Sequence, residues 1–237
     1  MKQSETKLAF GVSLSEWDKN SNPKFDFRFD CMDNMKESFC MLRIGVVECD
    51  SGKFWKDKCF EEYAKICNKL SIPWVGYIYF HLCDKIVLPS SDVWNIFDGF
   101  QFSLPYITFI FNVDIPNLDI NRLNSTIQFL EKVISTKSNK PLTVCCGVVG
   151  HHRELADHSE FKYPLYVEML LLDNCSSFSV SMNTILCWYD DSRSFYSIDG
   201  VATTIEDKII INRVHTSAAK VIALGELADA IHNYRSS

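Results

Sequence analysis

Three long apolar runs, each ending in or directly followed by polar residues, constrain the fold of this chain more than any other feature of its sequence. They are PWVGYIYFHLCD at 73–84, LPYITFIFNVDI at 104–115 and KPLTVCCGVVG at 140–150. Continuous apolar runs of this kind are typical of strands that are buried on both faces, as in parallel sheets. In barrels of parallel strands the carboxyl ends of the strands carry the chemistry. The polar residues that follow these runs are therefore the first candidates for a functional site.

Strand-like and helix-like segments alternate along the whole chain. The remaining strand-like runs are 7–14, 38–48, 163–173, 181–191 and 208–214, and the helix-like segments are 26–37, 54–70, 121–135 and 217–234. This alternation predicts an α/β fold, a single (β/α) TIM-like barrel that forms one domain over 1–237. The helix at about 217–234 is expected to pack on the barrel, with Gly225 as a mild defect within it. A doubly wound open sheet is the alternative.

Composition excludes several classes of function. The formal net charge is -6 and there is no long basic run, so the sequence predicts no nucleic-acid partner. Apolar runs stay below the roughly 18 residues of a membrane-spanning helix, so no membrane span is expected. The N-terminal stretch MKQSETKLAFGVSLSEW lacks a signal-peptide core. We therefore expect synthesis in the cytoplasm without a signal peptide.

Cysteine and histidine usage bears on redox and metal chemistry. The chain has 10 Cys but no CxxC pair, and several cysteines lie inside apolar runs. We interpret them as reduced thiols packed as small hydrophobic side chains, which fits a reducing compartment. The segment HHRELADH at 151–158 has the residue types of a metal site but lacks the HExxH order. The sequence therefore predicts no metal site and no cofactor.

Five short segments, in this order along the chain, carry a resemblance to a known family. They are Gly11–Ser15 (GVSLS), Met41–Gly45 (MLRIG), Ser71–Phe80 (SIPWVGYIYF), Pro164–Glu168 (PLYVE) and Trp188–Asp191 (WYDD). Their order and spacing resemble the glycoside hydrolase family 25 lysozymes, which are peptidoglycan muramidases common among phage endolysins. The resemblance covers about residues 9–212 and implies a lysozyme-like modified α/β barrel.

The same resemblance implies where catalytic groups would lie. In the family, carboxylates at strand ends act as the general acid and as groups that position or stabilise the reacting sugar. The first family Asp falls on Ser13, the Asp-x-Glu pair on Asn112 and Asp114, and the late Asp near Thr203 or Thr204. Glycosidases need two carboxyl groups for two opposite tasks. Only Asp114 keeps a carboxylate, on a side chain shorter than Glu, so we interpret the chain as a degenerate muramidase.

Other strand-end side chains are candidates for a ligand cleft. The resemblance places these residues along it: Arg43, Tyr77, Tyr79, His81, Trp188 and Tyr189. Sugar rings pack their C–H faces on aromatic rings, and polar neighbours bind their hydroxyls. The alternative for each ring is that it fills the core. Arg43 lies inside an apolar strand and is expected to pair with a carboxylate at the barrel mouth.

Three hypotheses for function follow. The leading one is a catalytically inactive, lysozyme-like module that binds peptidoglycan or another glycan, or has a structural role beside other proteins of a phage or virus particle. The second is an active peptidoglycan hydrolase with rearranged acids, in which Asp114 works with Glu48, Asp50, Glu168 or Asp173. The third is an intracellular binding protein that reuses the fold alone, since fold does not fix function.

Overall fold

The computed structural model describes most of the chain. The described residues are 8–16, 29, 32, 38–81, 88–98, 101–112, 119–138, 141–149, 155, 158–168, 178–180, 184–189, 195–198, 201–204 and 219–236. They include the first two apolar runs up to His81 and Asn112, and the third from 141 to 149.

Twelve strands and three α-helices make up the described part of the chain. The strands are β1 (Leu8–Leu14), β2 (Phe39–Glu48), β3 (Lys53–Lys56), β4 (Trp74–His81), β5 (Tyr106–Asn112), β6 (Thr143–Val148), β7 (Leu165–Glu168), β8 (Phe178–Val180), β9 (Thr184–Tyr189), β10 (Phe195–Ile198), β11 (Val201–Thr204) and β12 (Ala219–Leu224). The helices are α1 (Phe60–Lys69), α2 (Ile120–Lys137) and α3 (Gly225–Ser236), with a 3-10 helix at Ser91–Phe97.

Nine strands form one mixed, curled sheet in the order β1-β12-β9-β7-β6-β5-β4-β2-β3, and β1 also pairs with β2. The pairs from β2 through β4, β5, β6 and β7 to β9 are parallel, whereas β12 is antiparallel to both of its neighbours. A second sheet has the order β11-β10-β8. The predicted α/β class and lysozyme-like fold are confirmed. A full (β/α) TIM-like barrel is not confirmed, because β12 breaks the parallel order and, within the described residues, few helices separate the strands.

The two faces of the sheet bury two different clusters. Successive side chains of a strand point to opposite faces, so Trp74 and Phe109 pack on one side with Tyr63 of α1 and Leu130 of α2. The opposite side, which we call the inner face, buries a second cluster that includes Met41, Val75, Ile110, Cys145 and Leu227. Strands β2, β4, β5 and β6 are thus buried on both faces, which explains their near-continuous apolar sequences.

Helix α3 lies toward the amino ends of the parallel strands. Its residues Leu227 and Ile231 share the inner cluster with Ala9 and Phe39, near the starts of β1 and β2. The pKa of Tyr106, the first residue of β5, is raised by burial and further by the negative charge of Glu226. The carboxyl ends of the strands therefore form the other edge of the inner face, which we call the mouth.

The structure differs from the sequence-based prediction at two helices. The segment 54–70 was expected to be helical throughout, but Lys53–Lys56 is a strand and the helix begins at Phe60. Residues 219–224 of the predicted C-terminal helix form β12, and the helix begins at Gly225, whose φ of 54° suits glycine. Pairing with β2 and with β1 and β9 outweighs helical spacing in both segments.

Other predicted elements agree with the structure, or lie outside it. The strands at 7–14, 38–48 and within the three long runs are confirmed as β1, β2, β4, β5 and β6, and the helix at 121–135 is confirmed as α2. The predicted strand at 208–214 lies outside the described residues. Among the residues that are described, no helix combines the length and apolar character needed to cross a membrane.

Gly147 of β6 allows β7 to approach closely. A Cβ atom added to Gly147 would lie 2.5 Å from Cδ1 and 2.6 Å from the backbone oxygen of Tyr166. Relief would need a shift of backbone, not only of a flexible side chain. We expect Gly147→Ala to lower the free energy of unfolding by about 1–3 kcal/mol, measured by urea denaturation.

Thr143→Ala is the matched control, because Thr143 is exposed on the same strand. It should change the free energy of unfolding by less than about 0.5 kcal/mol. Equal losses in the two variants would show that the close approach at Gly147 does not limit the packing of β6 on β7.

Candidate functional site

A row of polar side chains ends three adjacent parallel strands at the mouth. Glu48, His81 and Asn112 are the last residues of β2, β4 and β5, and strand register places them side by side. His81 Nδ1 lies 3.1 Å from Glu48 Oε2, and their side chains are 55% and 37% exposed. Asn112 is half-buried. The row therefore presents hydrogen-bonding groups to solvent at the edge where a barrel places its ligand.

Two tyrosines lie below this row on the inner face. Tyr79 is in register with Val46, and Tyr77 with Arg43. Both rings are half-buried and pack against the inner cluster. Part of each ring thus packs in the core, and the assignment of these rings to a ligand cleft stays a prediction.

Arg43 is committed to a buried ion pair. Its Nε donates to Asp57 Oδ2 at 2.9 Å, and its Nη2 lies 3.7 Å from Glu16 Oε1. Arg43 is 6% exposed and Asp57 2% exposed. The prediction that Arg43 pairs with a carboxylate is confirmed, and the partners are Asp57 and Glu16. Such burial fits a role in holding geometry, and a direct role of Arg43 in ligand binding stays a prediction.

The Asp57 carboxylate accepts hydrogen bonds from backbone N–H groups of two further segments. Its Oδ2 accepts from the Glu16 N–H and its Oδ1 from the Cys59 N–H, each at 2.9 Å. Its own N–H donates to the Ile44 carbonyl at 3.0 Å. One carboxylate thus ties the end of β1 and the start of α1 to β2. A buried charge is tolerated when hydrogen bonds and an opposite charge compensate it, and Asp57 has both.

The implied catalytic positions fall in different places. Ser13 is half-buried in β1, in register with Met41 of β2. Thr204 ends β11 and pairs with Phe195 in the separate three-stranded sheet, so strand pairing does not bring it to the mouth. Asp114 lies outside the described residues. Ser13 and Asn112 thus stand at two positions where the resemblance implies carboxylates, and of the two, strand register places Asn112 in the row at the mouth.

The last two predicted cleft residues end β9. Trp188 is in register with Glu168 of β7 and Val221 of β12, and Tyr189 with Lys220. Glu168 is the last residue of β7, so Trp188 lies level with the carboxyl end of a parallel strand. The assignment of Trp188 and Tyr189 to a ligand cleft stays a prediction.

The described cysteines and acids bear on other chemistries. Cys40, Cys49, Cys59, Cys67, Cys145 and Cys146 are buried as reduced thiols, as predicted. Burial, reinforced by Cys145, raises the pKa of Cys146 well above its ordinary value, which disfavours the nucleophilic thiolate. Within the described residues, no group of three or more His, Cys, Asp or Glu side chains is arranged to hold a metal ion.

Sequence reasoning missed the hairpin formed by β2 and β3, and with it Asp57, Lys53 and Trp55. Trp55 is 50% exposed, and Lys53 Nζ lies 3.7 Å from the centre of its indole ring. The available signal was the turn sequence Asp50-Ser51-Gly52 followed by Phe54 and Trp55, because turn formers before aromatic residues favour a hairpin.

No protein-family model and no curated protein matches the sequence. Solved structures do match. A family 25 glycosyl hydrolase from Bacillus anthracis has a TM-score of 0.58 at 12% identity, over 98% of this chain and 95% of that one. The catalytic domain of the endolysin ply40 from Listeria monocytogenes bacteriophage P40 has a TM-score of 0.54 at 13% identity, over 99% and 100%. The Clostridium perfringens spore cortex lytic enzyme SleM has a TM-score of 0.55 at 16% identity, over 94% and 69%.

The buried ion pair makes a specific prediction for stability. Asp57→Ala leaves Arg43 buried without its closest counter-charge and removes the acceptor of two backbone N–H groups. We expect the free energy of unfolding to fall by about 3–5 kcal/mol in urea denaturation. Glu61→Ala is the control, since it removes a carboxylate from the exposed ion pair with Lys56 and should have a much smaller effect. Comparable losses would contradict the assigned role of Asp57.

Proposed function

Because the chain has the fold of the family 25 lysozymes, we propose that it is a lysozyme-like glycan-binding module that does not hydrolyse its ligand. Peptidoglycan is the proposed ligand. The solved structures that support this choice include a spore cortex lytic enzyme and phage endolysins. At 8–16% identity these structures share the fold alone, so the proposal depends on the side chains at the mouth.

The observation that carries the proposal is the identity of the residues at the ends of β1 and β5. Ser13 and the terminal Asn112 occupy positions where the resemblance implies carboxylates. Hydrolysis of a glycosidic bond needs one carboxyl group to protonate the leaving oxygen and a second to support the developing positive charge. Neither a hydroxyl nor an amide carries the negative charge that would support the developing positive charge. Loss of one catalytic carboxyl group from such a pair removes most of the rate advantage.

Binding of a glycan needs only aromatic surface and hydrogen-bonding groups, and the mouth has both. Tyr77 and Tyr79 offer partly open aromatic surface for the C–H faces of sugar rings. His81, Glu48 and Asn112 offer donors and acceptors for hydroxyl and N-acetyl groups along the adjacent row. The buried network of Arg43 and Asp57 holds these strand ends in place before the ligand arrives, which lowers the entropic cost of binding.

An active hydrolase is the second candidate, and Glu48 is the observation that favours it. Its carboxylate lies at the mouth, is 37% exposed and accompanies His81. With Asp114 it would form a rearranged acid pair. Assembly into a phage or virus particle stays a prediction, and detection of the protein in purified particles by mass spectrometry would test it.

The two candidates differ in a pair of assays on one preparation. We expect the purified protein to co-sediment with insoluble peptidoglycan and to leave the turbidity of purified cell walls unchanged. Tyr79→Ala should weaken binding by about tenfold, because it removes a partly open ring from the mouth. Binding is measured as the bound fraction against peptidoglycan concentration.

Phe129→Ala is the matched control for Tyr79→Ala, because Phe129 is 48% exposed on α2, which packs on the opposite face of the sheet. Its binding should equal that of the wild-type protein. Clearing of cell walls that Asp114→Ala abolishes would establish the hydrolase instead. Absence of both clearing and binding would overturn the proposed ligand.

A further inference from the structure

We infer that the β2–β3 hairpin carries a second part of the glycan site, in which the indole of Trp55 stacks on one sugar ring of an amino-sugar polysaccharide. The inference rests on the proposed function and adds a residue that lies outside the predicted cleft. It follows from strand register, from the exposure of Trp55 and from the polar groups beside it.

Register places Trp55 on the same face as the mouth. Trp55 pairs with Val46 across the hairpin, and Val46 is in register with Tyr79 of β4. Residues opposite each other in neighbouring strands have their side chains on one face of the sheet. Phe54 confirms the alternation, because it packs on the other face against Trp94, with ring centres 6.4 Å apart.

The spacing of the two rings suits a chain of sugars. Trp55 and Tyr79 are separated by one strand, so their backbones lie roughly 10 Å apart at the usual strand spacing. That separation is comparable to the length of two linked pyranose rings. A polysaccharide lying across the hairpin and the end of β4 would therefore meet an aromatic surface at alternate rings.

The exposure of Trp55 is unusual within the described chain. Trp74 and Trp94 are completely buried, whereas half of the Trp55 surface is open to solvent. Lys53 Nζ contacts the indole ring and restrains its orientation. An indole held in one orientation with half of its surface open offers apolar ring area to the C–H face of a sugar.

Polar side chains lie beside the indole, where they could hydrogen-bond the hydroxyl groups of a stacked sugar. Lys53 is in register with Glu48, and Glu48 with His81, so a cation, a carboxylate and an imidazole form one row beside the aromatic row. Protein sites for carbohydrates need such groups because each ring presents an apolar face and a polar rim. The hairpin therefore offers both kinds of contact within one face.

The hairpin is held rigidly enough to act as a preformed surface. Phe54 packs against the cluster on the face opposite the inner face, and the Asp57 N–H donates to the Ile44 carbonyl where the hairpin ends. A Cβ atom on Gly45 would lie 2.5 Å from the Trp55 backbone oxygen, so glycine permits the close approach of β3. A second copy of the chain is a poorer occupant of this edge, because Lys53 and Lys56 disfavour edge-to-edge strand pairing.

The experiment measures binding of N-acetylglucosamine tetramer and of insoluble peptidoglycan by the full chain and its variants. Trp55→Ala should weaken binding of both probes by about tenfold, whereas Trp55→Phe should retain most of the affinity. Phe129→Ala is again the control. In the wild-type protein the tetramer should reduce acrylamide quenching of tryptophan fluorescence, and Trp55→Phe should remove that protection because no exposed indole remains at the hairpin.

The outcomes separate this inference from the proposed function. Wild-type binding with unchanged affinity in Trp55→Ala overturns the role of Trp55 and leaves the glycan-binding proposal standing. If the wild-type protein binds neither the tetramer nor peptidoglycan, this inference and the glycan-binding proposal are both overturned. Circular dichroism and urea denaturation check that Trp55→Ala is folded, and the fluorescence result for Trp55→Phe decides the matter if it is not. Concentration-dependent dimers that Trp55→Ala abolishes would assign the surface to a second copy and overturn the inference.

Discussion

The buried ion pair between Arg43 and Asp57 fixes the point at which β2 exchanges one neighbour for another. The first part of β2 pairs with β1, and its last part pairs with β3. The carboxylate of Asp57 bonds to the Arg43 side chain and to backbone N–H groups at the end of β1 and the start of α1. Loss of Asp57 would leave Arg43 buried without its closest counter-charge, and a buried unpaired charge costs several kcal/mol.

Geometry at the mouth follows from that junction. Register along β2 carries Glu48 to the side of His81 and Trp55 to the side of Val46, so polar and aromatic rows lie on one face. The same scaffold in the family 25 lysozymes supports hydrolysis, but a scaffold does not fix the chemistry of its strand ends. The proposed function assigns binding rather than proton transfer to this chain, on the strength of the hydroxyl of Ser13 and the amide of Asn112.

Particular elements show how far sequence reasoning reached. Strands β4, β5 and β6 were predictable because burial on both faces leaves a continuous apolar run. The partner class of Arg43 was also predictable, since a cation in an apolar strand needs a carboxylate. Which carboxylate pairs with Arg43 was not predictable, because Asp57 comes 14 positions later and lies in a segment with helical spacing. Strand β12 was missed because it pairs with β1 and β9, and local periodicity carries no record of such distant contacts. Strand β3 was missed although its pairing is local, because the helical spacing of 54–70 was given more weight than the turn sequence before it.

The sequence by itself determined the α/β class, the strand ends that carry polar residues and the absence of carboxylates at Ser13 and Asn112. These properties are local, since they depend on residue type and on neighbours within one element. The tertiary structure decided which side chains meet. Pairing of β2 with β4 brought Glu48 beside His81, and the hairpin put Trp55 on the face of the mouth. Both outcomes depend on register between strands, which hydrogen bonding and the packing of two separate clusters select only when the whole sheet forms.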